Sequence, residues 1–436
     1  MRYFSTKDPN HPFSLRDAVL LGLPPDNGLF MPERIPVLPQ PMIEAMRSMS
    51  LPEIASIVSK AWFGDEIPAS DLETMCQDAY PFDTPLVRLR DQTYMLELFH
   101  GPTLAFKDVG ARFMARLMAY LNKGESRKLT ILVATSGDTG SAVASGFWNV
   151  PGIDVVILYP SGKVSEWQEK QLTTWGNNIT ALEVDGAFDD CQRLVKEAFL
   201  DPELRGSLRL SSANSISIAR LVPQIFYYFR AVAQLPTGSA DPVFVVPSGN
   251  FGNLTAGILA WMMGLGVHRF VAATNSNDVV PEYLHTGEFK PRASVSTMSN
   301  AMDVGNPSNF WRMTALFGND LEAMRKMIFA ATADEATTAR LMRLCWDECH
   351  YLTEPHAAVG LYGWEQYVKQ NGSLHPGIVL GTAHPSKFIE AVEAISGRSP
   401  EVPGALAEVI RKEKQAVRMK AEFSELRRFL LEKSKI

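Results

Sequence analysis

Three stretches of the chain carry residues whose types and spacing suit chemistry. Two are glycine-rich turns, TSGDTG from Thr135 to Gly140 and SGNFGN from Ser248 to Asn253. Each follows an apolar run, ILVA in the first case and VFVVP in the second, and each opens a helical pattern. A strand, a glycine turn and a helix start aim backbone N–H groups at one point, which suits an anion. Glycine lets that backbone approach a ligand closely, and Ser, Thr and Asn add side-chain donors. Taken singly, either turn is as readily a plain connection. Neither matches GxGxxG or ends in GK[ST], so a dinucleotide or a nucleoside triphosphate is a poor fit. The third stretch is ELFHGPTLAFKDVGARF, with Lys107 between Phe106 and Asp108 in otherwise apolar surroundings. A partly buried lysine has a depressed pKa, and its neutral amine can form a Schiff base. A lone lysine is more often a solvated surface group. The combination changes that balance. One nucleophilic lysine with two anion-binding turns is the equipment that pyridoxal phosphate needs: a covalent anchor, a phosphate cradle and a substrate-carboxylate cradle.

Such residues need a scaffold, and the hydrophobic pattern describes one. Short β-branched runs at Leu129–Ala134, Val155–Tyr159, Ile179–Val184, Val243–Val246, Phe270–Ala273 and Ile378–Leu380 predict strands. Amphipathic stretches of ordinary helical length lie between them, which favours βαβ units and a parallel sheet. The clearest helix follows Lys107: Val109, Phe113, Leu117 and Leu121 share one face, with Asp108, Arg112 and Arg116 on another. Residues 1–80, with the proline-rich GLPPDNGLFMPERIPVLPQP, predict an N-terminal subdomain. Residues 81–400 predict an α/β core of two subdomains with the site between them, and 401–436 a charged helical tail.

Composition narrows the function further. The chain has 436 residues, of which 46% are hydrophobic, enough for two or three domains with a buried core. Lys plus Arg total 42 against 48 Asp plus Glu, a formal charge of −6 with no basic stretch. Nucleic acid and anionic membranes are therefore not expected as partners. The apolar run from Pro242 to Val267 is interrupted by PSGNFGN, whereas a spanning helix needs about 20 continuous apolar residues. Four scattered cysteines (Cys76, Cys191, Cys345 and Cys349) and a start without an apolar signal core point to a reducing, cytoplasmic setting. Cys345, Cys349 and His350 have helical spacing but no second ligand pair, so no metal is expected.

The motifs PDNGLFMP, HGPTLAFKD, TSGDTG, NSISIAR, SGNFGN, SNAMDVGNPSNF and GTAHPSKF run in order from about residue 2 to residue 390. Together they resemble the threonine synthase family, in its bacterial and fungal branch with a long N-terminal subdomain. The resemblance implies an α/β fold of the pyridoxal-phosphate fold type II, like the tryptophan synthase β chain. It implies a lyase of threonine biosynthesis, converting O-phospho-L-homoserine and water to L-threonine and phosphate by γ-elimination and β-hydration. In such a protein Lys107 carries pyridoxal phosphate, and Gly249, Asn250, Phe251, Gly252 and Asn253 cradle its phosphate. Thr382, in GTAHP, faces the pyridine nitrogen. Ser136, Gly137, Asp138 and Thr139 receive the substrate carboxylate, and Asn214 and Ser215 also belong to the substrate site. Lys163 and Arg220 help to hold the substrate phosphate.

The sequence departs from the family pattern twice. Ser217 and Ile218 stand where NSINWAR has Asn and Trp, which bears on pocket shape. Asn253 replaces a frequent Asp and removes a negative charge near the phosphate. His100 and His384 adjoin motif residues and are expected to have structural or supporting roles. Two other functions compete: a serine/threonine dehydratase, which needs no second phosphate clamp, and a catalytically silent homologue. The sequence does not give the oligomeric state.

Overall fold

The computed structural model describes residues 1–135 and 137–433. In chain order its strands are β1 (Tyr3–Ser5), β2 (Phe30–Pro32), β3 (Leu86–Arg90), β4 (Thr93–Glu97), β5 (Leu129–Ala134), β6 (Ile153–Pro160), β7 (Ile179–Asp185), β8 (Arg209–Ser211), β9 (Val243–Pro247), β10 (Arg269–Thr274), β11 (Ile328–Thr332), β12 (Gly377–Gly381) and β13 (Ala416–Lys420). β1 and β2 form a small antiparallel pair. The rest build two larger sheets, one in the order β11-β10-β9-β12-β4-β3 and one in the order β13-β7-β6-β5-β8. Every pairing in the larger sheets is parallel except β3 with β4. Helices cover these sheets, so β9 and β12 are buried at every residue. That is why their sequences read as unbroken apolar runs.

All six strands expected from the pattern are present. Those without a prior signal are short or amphipathic. β3 and β4 form a hairpin across Asp91 and Gln92, with Asp91 in the left-handed region at φ 43°. β8 has three residues. The helical tail is corrected: residues 404–410 and 423–433 are helical, but β13 lies between them and pairs with β7. Its Ala-Val-Arg-Met-Lys sequence is that of an edge strand, charged on its open side, so neither apolar continuity nor length marked it. Leu426 and Leu430 of the last helix pack with Cys191, Leu194 and Met419 in one apolar cluster.

The N-terminal segment clamps the helix that begins at Lys107, Lys107–Leu121. Tyr80 donates its hydroxyl to the Val109 carbonyl at 2.9 Å, and Arg112 donates to the Ala79 carbonyl at 2.6 Å. Phe63 stacks on Phe113 with ring centroids 6.0 Å apart.

Candidate active site

The chemistry-bearing segments all leave the carboxyl ends of parallel strands. TSGDTG follows β5, SGNFGN follows β9, Thr382 follows β12, and the Lys107 segment follows β4. Ligand sites of open parallel sheets form at such ends. The Lys107 segment is stitched to β12: the Leu98 N–H donates to Gly381, the Phe106 N–H to Thr382, and the His384 N–H to Leu104. Leu104 has φ 59° and is buried, a left-handed backbone that a leucine rarely adopts. Asp108 holds this turn by accepting from the Thr103 N–H and hydroxyl at 2.8 and 2.7 Å. A side chain at Gly101 would fall 2.5 Å from the Asp108 carboxylate, so glycine is needed there. Burial raises the Asp108 pKa to about 6.

Lys107 opens its helix with 16% of its side chain exposed. Burial lowers its pKa, and the nearby charges of Lys387 and Arg220 lower it further, while Asp138 and Glu354 act in the other direction. Its Nζ lies 3.8 Å from Asp138. Lys387, itself buried, donates to the other oxygen of Asp138 at 2.8 Å, to the Thr103 carbonyl at 2.9 Å and to Gln171 at 3.1 Å. Burial alone would raise the Asp138 pKa, but the two lysines outweigh it and hold the carboxyl below the ordinary range.

At SGNFGN the helix Gly252–Met262 begins after Phe251, which has φ 60°. Among the described residues no group accepts a hydrogen bond from the N–H groups of residues 249–253. Phe251, Gly252 and Asn253 are buried there. Buried N–H groups without acceptors are costly in the absence of a ligand. A side chain at Gly249 would lie 2.8 Å from the Met302 Cα, and one at Gly252 3.3 Å from Asn309 and 3.8 Å from the Ser215 carbonyl. Asn253 braces the turn: its Oδ1 accepts from Ser248 and the Leu254 N–H, and its amide donates to the Pro247 carbonyl at 2.8 Å. An aspartate could not make that last bond, which gives the departure at Asn253 a structural meaning. Thr382 is only 6% exposed, and its hydroxyl makes no hydrogen bond among the described residues. A low-pKa amine, an unsatisfied N–H cradle and an unpaired hydroxyl fit pyridoxal phosphate.

At TSGDTG, Gly137 caps the helix Asp138–Phe147 with φ 147°. The Thr135 hydroxyl accepts from the Gly137 and Gly140 N–H groups at 3.0 and 2.9 Å. The N–H groups of Asp138 and Thr139 have no acceptor among the described residues. Ser136 lies outside the described residues. The Asp138 carboxylate is engaged by Lys387 and Lys107, so only its N–H faces an incoming carboxylate without repulsion.

Arg220 is buried in the short helix Ile218–Leu221 and lies against Gly110, where an added Cβ would come within 3.1 Å of its Nε. One guanidinium nitrogen donates to Ala213 at 2.7 Å, while Nε is buried without a partner, and burial pushes its pKa down to about 10. Asn214 and Ser215 precede that helix, and the Asn309 amide reaches the Ser215 carbonyl at 3.5 Å. Lys163 stands apart from these contacts. It is exposed in the loop after β6 and has no side-chain partner among the described residues.

Several residues beyond the expected site support it. Asn309 donates its N–H to the Asn250 carbonyl, and buried Arg312 holds Asn309, Ile216 and Phe30 together. Glu354 accepts from the His356 ring at 2.6 Å, and His356 Nε2 accepts the Ala301 N–H at 3.1 Å. Because Nε2 accepts, the proton sits on Nδ1. Lys387 and Asn309 lie within motifs that had been recognised, but only the fold shows what they touch.

Comparison with known proteins decides the family. Residues 79–382 match the family described as pyridoxal-phosphate dependent enzyme, residues 2–80 the threonine synthase N terminus, and residues 357–430 the threonine synthase C-terminal region. Threonine synthase of Escherichia coli (strain K12) is 45% identical over 435 residues, 99% of this chain and 99% of its own. The chain belongs to the threonine synthase family. It is a pyridoxal-phosphate-dependent lyase of fold type II with threonine synthase activity. The crystal structure of the E. coli threonine synthase superposes with a TM-score of 0.91, covering 99% of this chain and 100% of that one. The pyridoxal-phosphate-bound threonine synthase from Brucella melitensis, 36% identical, gives 0.93 with full coverage of both. Threonine deaminase isoform 2 from Solanum lycopersicum, at 14% identity and TM-score 0.57 over 76% of this chain and 93% of its own, shares the fold alone. Among the described residues no helix is long and apolar enough to cross a membrane.

Proposed function

We propose that the chain converts O-phospho-L-homoserine and water to L-threonine and phosphate, with Lys107 as anchor and proton carrier. The observation that carries this reading is a mostly buried lysine amine 3.8 Å from Asp138 at one helix start, together with a second helix start whose N–H groups have no acceptor among the described residues. A substrate with an α-amine, an α-carboxylate and a γ-phosphate needs a site for each group. Pyridoxal phosphate, when bound, supplies an electron sink for the substrate's α-carbon. Lys107 would hold it covalently, the N–H groups of residues 249–253 would take its phosphate, and Thr382 would meet its ring nitrogen. A hydroxyl satisfies that nitrogen without stabilising a proton on it as a carboxylate does.

The N–H groups of Asp138 and Thr139, with Ser136 and Gly137, would orient the substrate carboxylate, and Asn214 and Ser215 would border it. Arg220 and Lys163 would draw in the substrate phosphate. Phosphate carries nearly two negative charges, and two phosphates in one cleft need cations to offset their repulsion. The Lys107 amine, when free of a proton, takes the proton from Cα and remains tethered beside the neighbouring carbons for later transfers. The buried walls keep bulk water from the reacting carbons. The free cysteines, Cys76, Cys191, Cys345 and Cys349, support a reducing cytoplasmic setting. The test is phosphate release from O-phospho-L-homoserine with the amino-acid product identified. Equimolar phosphate and threonine are expected, and release without threonine would sink the reading.

A further inference from the structure

Lys387 is a buried charge that the chemistry above does not use. It lies two residues beyond Pro385, in the turn that follows Thr382, and it is 6% exposed. Its three donors are all taken, by Asp138, the Thr103 carbonyl and Gln171. An ammonium group has three N–H bonds to give, and each finds an acceptor here. Gln168 adds a fourth contact to the cluster, donating to the same Asp138 oxygen at 3.3 Å. The second Asp138 oxygen is the one that faces Lys107, at 3.8 Å. Two lysines therefore share one carboxylate, with the shorter contact going to Lys387.

We propose that Lys387 is a positioning residue that occupies Asp138, so that Lys107 remains an uncharged amine ready for its cofactor. The inference rests on Lys107 being the anchor lysine. Attachment joins the Lys107 nitrogen to the aldehyde carbon of pyridoxal phosphate through a C=N bond and releases the aldehyde oxygen as water. An ammonium has no lone pair for that step. A carboxylate within about 4–6 Å of a lysine stabilises its charged form and shifts the pKa by roughly 1–3 units. Left alone with Asp138, Lys107 would be held as an ammonium. Lys387 counters this in two ways, by neutralising Asp138 and by repelling a second positive charge. The charged groups facing Lys107 come from four elements: Asp138 from the TSGDTG helix, Lys387 from the turn after β12, Arg220 from its short helix, and Glu354 from the start of the helix Pro355–Asn371. Of these, Lys387 and Asp138 are the two in direct contact with each other.

The experiment follows covalent attachment rather than turnover. Full-length protein freed of cofactor is mixed with pyridoxal phosphate, and the rate of borohydride-trappable attachment at Lys107 is measured against pH. For Lys387→Met the midpoint should move to alkaline pH by about one unit or more. Asp138→Asn should move it towards acid, and the double variant should lose the alkaline shift. A lysine that only supports the fold would lower the amount attached at every pH and leave the midpoint in place. An unchanged midpoint in Lys387→Met, or in Asp138→Asn should the first variant not fold, overturns the proposal. A double variant that stays alkaline overturns it too, because the effect would then not run through Asp138. Lys107→Ala separates the two levels. Loss of trapping there upholds the anchor assignment, whereas trapping elsewhere at the normal rate removes that assignment and this inference with it.

Discussion

At Gly249 the space for a side chain is already taken by backbone. An added methyl would meet the Met302 Cα at 2.8 Å and the Ala301 carbonyl at 3.2 Å, so the turn itself must move. Gly249→Ala should therefore weaken pyridoxal phosphate binding at least about tenfold, equivalent to the loss of roughly one charge-assisted hydrogen bond. Equilibrium dialysis checks this, and wild-type affinity would contradict the cradle. Thr382→Val tests the other end of the cofactor. Valine matches the shape without the hydroxyl, so cofactor should still bind while turnover falls by about tenfold or more. Unchanged kinetics would assign that contact to another group. Asp138 has a consequence for stability. Its folded pKa lies below the ordinary value because Lys387 and Lys107 outweigh burial. Its contribution is therefore present above about pH 4 and is lost as pH falls through the lower folded value. Urea midpoints compared at pH 7 and pH 3 should drop more steeply for the wild type than for Asp138→Asn. Parallel slopes would deny the coupling.

The phosphate turn is not self-supporting as an element. It leans on the 299–302 segment, which is pinned by the Ala301 N–H to His356, whose ring is held by Glu354 at the start of its own helix. Both Glu354 and His356 are nearly sealed from solvent, at 1% and 3% exposure. His356→Phe would leave the Glu354 carboxylate and the Ala301 N–H without that partner, a cost of about 1–3 kcal/mol. The expected readout is a higher dissociation constant for pyridoxal phosphate with kcat preserved at saturating cofactor. A fall in kcat with normal cofactor affinity would mean that the dyad reaches the reaction and not the turn. The Lys107 helix has its own support in Tyr80, Phe63 and Arg112, which packs the N-terminal segment behind the reacting residue.

For the whole molecule, the proposed reaction moves an oxygen from Cγ of the substrate to Cβ of the product. Loss of phosphate carries the original oxygen away, so the new hydroxyl must come from water. In oxygen-labelled water the β-hydroxyl of threonine should carry the label, and unlabelled threonine would rule out elimination followed by hydration. A site enclosed by mostly buried residues can admit one water while holding others back. The arrangement depends on residues far apart in the chain meeting at strand ends, since Lys107, Asp138, Arg220 and Lys387 come from four separate segments.

Much of this was determined by the sequence alone. The six central strands are legible because parallel strands buried on both faces are continuously apolar, and the glycine turns are legible because a close approach to a ligand tolerates few residues. The family motifs identify the cofactor and the reaction class. Edge strand β13 is not legible, because a charged segment of that length reads as helix or strand until a neighbour accepts its hydrogen bonds. Nor are Lys387, Asn309 and the Glu354–His356 pair. Each is an ordinary polar residue in sequence, and its role exists only as a distance to a group tens or hundreds of residues away. Charge state shows the same limit. Lys107 could be named as a nucleophile from its neighbours in the chain, but burial and four other charged segments decide whether its amine is free, and only tertiary packing brings those together.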